Sequence, residues 1–93
     1  MRITFDPEKR ETTLAMRGLD MADAGDVFDG PHLTVDDDRR DYGETRKLTI
    51  GFMRNRMVVL AWTPRGNARR IISMRKANAR EQKAYGPRFG GSG

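Results

Sequence analysis

The feature that most constrains the fold is a continuous run of six apolar residues, Met57-Val58-Val59-Leu60-Ala61-Trp62. Turn-forming sequences bound the run on both sides, at residues 54–56 and 64–67. Successive side chains of a strand point to opposite faces of a sheet, so a strand that is apolar throughout has to be covered on both faces. We therefore interpret this run as the central strand of a sheet.

Three neighbouring segments are also predicted to be strands. Apolar residues alternate with polar or small ones over residues 48–52, the pattern of a half-buried strand. Residues 32–35 and 69–74 give two more short strands, and residues 3–5 form an extended piece at the start of the chain. Together with the central run, these segments predict a meander of about four antiparallel strands.

The first helix has clear start and stop signals. The Asp6 side chain can accept a hydrogen bond from the first free N–H groups of a helix, and Pro7 fits the first helical position. Gly18 supplies the left-handed residue that commonly ends a helix. We therefore predict a helix over residues 7–17, with a thin apolar stripe that packs by one edge.

Two shorter helical segments complete the pattern. Asp20 is a candidate cap for a helix that ends near residue 29, and residues 76–85 are rich in helix-forming side chains. The predicted fold class is α+β, with two N-terminal helices, an antiparallel sheet of about four strands and a C-terminal helix. We expect a single domain over residues 1–86, with helices covering one sheet face, and a flexible tail over residues 87–93.

Charge is divided unevenly along the chain. Residues 1–45 carry twelve acidic and six basic side chains, a net charge of −6. Residues 46–93 carry twelve basic side chains and one acidic one, Glu81, a net charge of +11. The basic half is therefore a candidate surface for binding a polyanion such as nucleic acid.

Composition excludes several classes of function. The chain has no cysteine and one histidine, which excludes a disulfide framework, thiolate chemistry and metal sites built on two histidines. We expect no cofactor and no metal. No apolar run approaches the length of a membrane span, and the first ten residues lack the apolar core of a signal peptide. We therefore expect a cytoplasmic protein of bacterial type with no membrane partner.

Arginines recur near the ends of the predicted strands in the basic half. Arginine binds phosphate through two parallel hydrogen bonds and keeps its charge at any working pH. Because neighbouring strands lie about 4.8 Å apart, arginines on adjacent strands could converge on one face, where Tyr42 and Trp62 could stack on bases. The alternative is that these arginines decorate solvated turns and pair with the surplus acids. The residues concerned are Arg46, Arg54, Arg56, Arg65, Arg69, Arg70 and Arg75.

Several motifs, in their order along the chain, resemble the BrnT family of type II toxins. They are Asp6-Pro7-Glu8-Lys9, Arg17-Gly18-Leu19-Asp20, the run from Arg40 to Arg46, and residues 62–66 and 70–77. The resemblance covers about residues 3–85. It implies a RelE/ParE-like fold and a ribonuclease that cuts RNA and inhibits translation.

The same resemblance implies a protein partner. BrnT toxins are neutralised by a BrnA-type antitoxin with a ribbon-helix-helix DNA-binding domain, and the complex represses its own operon. Operator DNA would then be contacted only through that complex. Two positions depart from the family pattern: Lys47 stands where we expect an aromatic or aliphatic residue, and Met16 stands where we expect a polar one.

RNA cleavage without a metal requires the ribose 2′-OH to lose its proton and attack the adjacent phosphate, while the leaving 5′-oxygen gains a proton. With one histidine and no cysteine, charge stabilisation by arginine becomes the main contribution. We predict Arg65 and Arg75 as catalytic phosphate contacts, Glu44 as the base, and Tyr42 as a proton donor or stacking group. The predicted RNA-binding residues are Arg46, Lys47, Arg69, Arg70 and Lys76, with Lys47 expected on the polar sheet face.

Structural roles remain open for several of these side chains. Glu44 could instead orient Arg46 through an ion pair, and Tyr42 could be a packing residue. His32 is expected in a structural or surface role, Trp62 in the core, and the acidic residues 36–38 in a solvated turn. Two other functions also remain open: a non-catalytic nucleic-acid-binding module, and a toxin of the same fold that acts on a protein target such as gyrase.

Overall fold

The computed structural model describes residues 2–39, 41 and 43–89, and its described part forms one five-stranded sheet with three α-helices. The helices are α1 (Pro7–Arg17), α2 (Ala24–Asp29) and α3 (Ala79–Tyr85), with 3-10 turns at Met21–Asp23 and Gly86–Phe89. The strands are β1 (Arg2–Phe5), β2 (His32–Asp36), β3 (Lys47–Met53), β4 (Arg56–Arg65) and β5 (Ala68–Lys76). Their order in the sheet is β1-β5-β4-β3-β2.

The sheet is mixed, which corrects the predicted four-stranded antiparallel meander. Strands β2 to β5 pair antiparallel as expected, but the extended piece at residues 3–5 belongs to β1, which pairs parallel with β5. Its first residue, Arg2, lies opposite Ala68, far along the chain. Parallel strands need a long crossover connection, so no local turn sequence signals this pairing.

The two N-terminal helices follow their local signals. Asp6 accepts a hydrogen bond from the Glu8 N–H at 2.9 Å, and α1 ends at Gly18 with φ 68°. Asp20 caps the next segment by accepting from the Ala22 N–H at 2.9 Å, and this segment starts as a 3-10 turn before α2. Hydrogen bonds from the Arg10 guanidinium, and then from Ala22, lower the pKa of Asp20 to about 2.

The C-terminal helix begins later than predicted, because β5 continues through Lys76 and Asn78 then caps α3. The flexible tail predicted for residues 87–93 is in part an ordered turn. Gly86–Phe89 forms a 3-10 turn, and the Phe89 ring packs edge-on against Phe52 with centroids 5.0 Å apart. The remaining residues, 90–93, lie outside the described part of the chain.

Strand β4 is buried on both faces, as its continuous apolar run predicted. Val58 and Leu60 are fully buried against Val27 of α2 and its neighbours, while Val59 points the other way. There it joins a smaller cluster that Tyr85 and Phe89 help to cover. The C-terminal helix therefore covers part of the second face, which we had expected to be free, and the rest of that face stays open to polar side chains.

Helix α2 approaches the sheet closely at Gly51 of β3. A Cβ atom at this position would lie 2.7 Å from Val27 Cγ1 and 3.1 Å from the Cβ of His32. Real Cβ atoms essentially never come as close as 2.7 Å to another heavy atom, so no side chain fits here without displacing α2. The contact fixes α2 over the centre of the sheet, with β2 leading away from it.

We expect Gly51→Ala to destabilise the fold by about 1–3 kcal/mol, because the added methyl group overpacks the contact with Val27. Urea unfolding monitored by circular dichroism measures the change. The control is Gly25→Ala within α2, where the nearest heavy atom would be 4.0 Å away, at Ile3 Cγ1. That change should leave stability equal or raise it by about 0.5–1 kcal/mol. Equal effects at both positions would contradict the close approach.

Candidate functional site

Four arginines lie on the sheet face opposite α2, which we call the arginine face: Arg46, Arg65, Arg70 and Arg75. Directly paired residues on neighbouring strands point to the same side. Arg75 pairs with Val59, which belongs to the cluster covered by the C-terminal helix, and Arg70 pairs with Thr63, two residues before Arg65. Arg46 precedes β3 and alternates with Leu48, which also packs against that cluster.

A β-bulge decides which arginines share this face. Arg70 and Arg75 are five positions apart, so a regular strand would point them to opposite sides. The register of β4 and β5 shifts between Ala61 and Trp62, where β5 carries the additional residue Ile72. The extra residue returns Arg70 to the side of Arg75 and turns Arg69 to the other side.

Glu44 lies between two of these arginines. Its Oε1 accepts from Nη2 of Arg65 at 3.0 Å, and its Oε2 lies 3.7 Å from Nε of Arg46. The loop that carries Glu44 is anchored to β4, because the Thr63 hydroxyl donates to the Thr45 carbonyl oxygen at 2.6 Å. The ion pair of Glu44 with Arg46, which the sequence offered as an alternative role, is present in the structure, and the contact with Arg65 was not predicted.

Arg75 is held by Glu81 through two hydrogen bonds, from Nη1 to Oε1 at 2.7 Å and from Nη2 to Oε2 at 2.9 Å. These bonds lower the pKa of Glu81 to about 2 and raise the pKa of Arg75. Glu81 also accepts from the Asn78 N–H at 2.9 Å, which closes the capping box of α3. One carboxylate thus ties the start of the helix to the arginine face.

The acidic run at residues 36–38 is not simply a solvated turn, as we had expected. Asp37 is only 6 % exposed and accepts two hydrogen bonds from Arg39, at 2.7 and 3.0 Å. Asp36 accepts from Nζ of Lys47 at 2.7 Å. The charge of Arg39 is close enough to Arg75 to act against its raised pKa. Asp37 therefore holds an arginine near the arginine face, whereas Asp36 and Lys47 form their ion pair on the other face.

Lys47 and Arg69 lie on the other face, which corrects the expectation that Lys47 belongs to the polar one. Lys47 pairs directly with Trp62, whose side chain is in the core beneath α2. The Arg69 guanidinium stacks over the Phe28 ring, 3.9 Å from its centroid, and lies 5.4 Å from that of Trp62. Lys76 pairs with Val58, so its strand position also points away from Arg75.

Trp62 and His32 have packing roles, as the sequence predicted. Trp62 is buried, and its Nε1–H donates to the Thr49 hydroxyl at 2.8 Å. The half-buried His32 ring lies edge-on to Phe28 with centroids 5.6 Å apart, and its Nδ1 lies 2.8 Å from the Gly30 carbonyl oxygen. Trp62 is therefore not accessible for stacking on a base. Tyr42, the fourth predicted catalytic residue, lies outside the described residues, and its role stays a prediction.

The arginine face offers fixed positive charge without a metal cluster beside it. Among the described residues, no group of three or more His, Asp or Glu side chains could hold a metal ion. The guanidinium groups at these positions can bind phosphate oxygens and stabilise negative charge that develops on them. The arrangement therefore suits chemistry on a phosphodiester.

A protein-family model described as "Ribonuclease toxin, BrnT, of type II toxin-antitoxin system" matches residues 5–81. The chain belongs to the BrnT family. The match spans both sheet faces and reaches Glu81. Membership makes the chain a ribonuclease toxin of a type II toxin–antitoxin system, with an antitoxin as its partner. No curated protein matches the chain. Within the described residues, the chain has no helix that is both long and apolar enough to cross a membrane.

Sequence reasoning missed two residues of this BrnT site. Glu81 was noted only as the single acid of the basic half, yet that isolation was a usable signal, because a lone acid among twelve basic residues is expected to have a basic partner. Arg39 carried no such signal, since its position near Arg75 depends on the path of the loop after β2. The negative charge of Glu81 binds Arg75, and the positive charge of Arg39 acts against the rise in the pKa of Arg75.

We expect Glu81→Gln to lower stability at neutral pH, by an amount that shrinks as the pH falls. The folded-state pKa of Glu81 is about 2, below its ordinary value of 4.5, so its stabilising contribution is present above pH 4.5 and is lost between about pH 4.5 and 2. Gln keeps the capping box but not the ion pair. Urea unfolding of the wild type and of Glu81→Gln across this pH range measures how the difference in their free energies of unfolding shrinks.

Asp29→Asn controls for the loss of one negative charge, since Asp29 has no ion pair in the part of the chain that the structure describes. A Glu81→Gln difference that stays constant from pH 7 to pH 2 would contradict the assigned ion pair.

Proposed function

We propose that this BrnT-family chain is a metal-independent endoribonuclease that cuts RNA on the arginine face and so inhibits translation. The observation that carries the proposal is the gathering of Arg46, Arg65, Arg70 and Arg75 on one sheet face that α3 leaves partly open. Two carboxylates among the described residues, Glu44 and Glu81, already engage three of these arginines. Guanidinium binds carboxylate and phosphate in the same two-bonded way, and Glu81 holds Arg75 in that geometry, while Glu44 contacts Arg65 through one hydrogen bond.

Arg65 and Arg75 are the proposed catalytic contacts. Both are exposed, and each presents its guanidinium to a carboxylate oxygen at 3.0 Å or less. A substrate phosphate would compete with Glu44 or Glu81 for these donors. As the phosphorane forms, its added negative charge strengthens the same hydrogen bonds, which lowers the barrier. Of the predicted RNA-binding residues, Arg46 and Arg70 share this face and are the proposed contacts to flanking phosphates.

Proton transfer completes the proposed reaction. Glu44 takes the proton of the ribose 2′-OH, the 2′-oxygen bonds to phosphorus, and the bond to the 5′-oxygen breaks. The 5′-oxygen gains a proton, which we assign to Tyr42 on sequence grounds. The products are a 2′,3′-cyclic phosphate and a 5′-hydroxyl end. Contact with Arg65 supports this role because it fixes the carboxylate beside the phosphate contact.

The remaining parts of the proposal concern partners and location. We propose that a BrnA-type antitoxin with a ribbon-helix-helix domain neutralises the toxin, and that the complex represses its own operon in the cytoplasm. A toxin with an exposed catalytic face is neutralised directly when a partner covers that face. One observation favours non-catalytic RNA binding as a second candidate: the arginine face carries no histidine among the described residues. Cleavage assays separate the two candidates.

We expect the purified chain to cleave RNA in the presence of a chelator, and Arg65→Ala or Arg75→Ala to lower kcat/KM by about 10²–10³-fold, the usual effect of removing one donor to a transition-state oxyanion. The control is Arg56→Ala, an exposed arginine whose strand position faces away from the arginine face. RNA that stays intact with excess protein, both free and on ribosomes, would contradict the nuclease.

We expect the salt dependence of RNA binding to report the phosphate contacts. Each contact to single-stranded RNA contributes about −0.7 to the slope of log K against log salt. Arg70→Ala should therefore make the slope shallower by about 0.7, measured by fluorescence anisotropy with a labelled, uncleavable oligonucleotide. Arg56→Ala should leave the slope unchanged. Equal slopes for the wild type and Arg70→Ala would show that Arg70 does not contact an RNA phosphate.

A further inference from the structure

Helix α1 is attached to the fold without burying any of its residues. Leu14 is 44 % exposed and Met16 is 80 % exposed. Short helices normally depend on a buried apolar face for stability. Here α1 is held by polar contacts instead: Arg10 binds Asp20, and Nη1 of Arg17 donates to the Met74 carbonyl oxygen of β5 at 2.6 Å.

A groove runs between α1 and β5, which we call the α1 groove. It has a volume of about 550 Å³, and its apolar lining comes from Met16, Met21 and Ile72. Strand β1 pairs with β5 only as far as Ile71, so beyond that point α1 lies where a neighbouring strand would otherwise be. The volume is that of a pocket able to take several side chains.

The α1 groove continues into a basic end. Met16 and Arg17 also line a second cavity of about 460 Å³, together with Arg75 and Lys76. Among the described residues, neither Arg17 nor Lys76 has an acidic partner, and Arg75 has Glu81. Three cations therefore face one carboxylate at this end, and one of the three is a proposed catalytic residue.

We propose that the α1 groove receives a segment of the antitoxin, with apolar side chains against Met16, Met21 and Ile72 and an acidic side chain at the basic end. The acidic side chain binds Arg17 and Lys76 and competes for Arg75. Neutralisation then follows because the toxin loses a phosphate contact. This inference rests on the proposed function, in which an antitoxin inhibits the nuclease at the arginine face.

The lining favours a protein over RNA. Thioether and aliphatic side chains bury apolar groups of a peptide well, whereas single-stranded RNA is bound by aromatic stacking and continuous positive charge. None of the described residues that line the α1 groove is aromatic, and at its other end Asp6 and Glu8 outnumber Lys9, so that end does not attract phosphate. An apolar segment followed by an acid matches the apolar lining and the basic end of the groove.

The test compares two exposed apolar residues at opposite edges of the fold. Met16→Glu places a carboxylate in the α1 groove, and Val35→Glu makes the same kind of change on the edge strand β2, at a residue that is 48 % exposed. Calorimetry measures the Kd of the purified antitoxin for each full-length toxin. We expect Met16→Glu to weaken binding at least tenfold and Val35→Glu to change it less than twofold.

A second variant tests the basic end. Arg17→Glu should also weaken antitoxin binding about tenfold, with a smaller dependence on salt than the wild type shows. Thermal unfolding and RNA cleavage of the free toxins accompany each titration. We expect Met16→Glu to stay folded, because its side chain is exposed, but its new carboxylate lies in the cavity that Arg75 lines. Met16→Ser removes the apolar contact without adding charge there, and we expect it to weaken antitoxin binding while retaining both thermal stability and RNA cleavage.

Each other outcome overturns a distinct part of the proposal. Wild-type affinity of Met16→Glu for the antitoxin overturns the groove but leaves the nuclease and its neutralisation in place. Loss of RNA cleavage by folded Met16→Ser assigns the groove to RNA instead. If the wild-type toxin cleaves RNA but does not bind the antitoxin, the proposed antitoxin partner is wrong. The nuclease activity itself is tested by the cleavage assay alone.

Discussion

Burial of β4 on both faces is the constraint on which the rest of the structure depends. One side of the strand needs α2 and the turn before it, and the other side needs the C-terminal helix. Because α3 is short, it covers only the half of the second face around Val59. Arg46, Arg65 and Arg70 lie beyond the covered part, while Arg75 pairs with Val59 and is held by α3 through Glu81. The same packing that closes the core therefore leaves the proposed site partly open.

The charges of the two halves of the chain do not form separate regions in space. Asp36 binds Lys47, Glu44 binds Arg65, and other pairs cross the same sequence boundary. The acidic half thus neutralises part of the basic half wherever the fold brings them together. Positive charge remains in excess at the end of β5, where Arg17 and Lys76 have no acidic partner among the described residues, and on the arginine face, where Arg70 has none. Local pairing, more than net charge, therefore defines the surface that a polyanion or an acidic segment meets.

Two carboxylates link the fold to its proposed chemistry. Glu44 is held by a loop bonded to β4, and Glu81 caps α3, so each brings a structural element to an arginine. Surface ion pairs contribute little to stability when isolated, but a two-bonded arginine fork fixes geometry. The Arg75 side chain is therefore oriented before substrate arrives, and a substrate or partner must compete with Glu81 for it. Arg75 also lines the basic end of the α1 groove, so the proposed antitoxin segment would reach a residue of the proposed nuclease site directly.

The sequence by itself determined the elements whose signals are local. Asp6 and Gly18 bounded α1, the apolar run marked β4, and family motifs pointed to a BrnT ribonuclease. The sequence also suggested the ion pair between Glu44 and Arg46. Only the tertiary structure decided the parallel pairing of β1 and the faces on which Lys47, Arg69 and Arg70 lie. The physical reason is that side-chain direction in a strand reverses with every residue, so one bulged residue reassigns every arginine before it, and no local pattern announces the bulge.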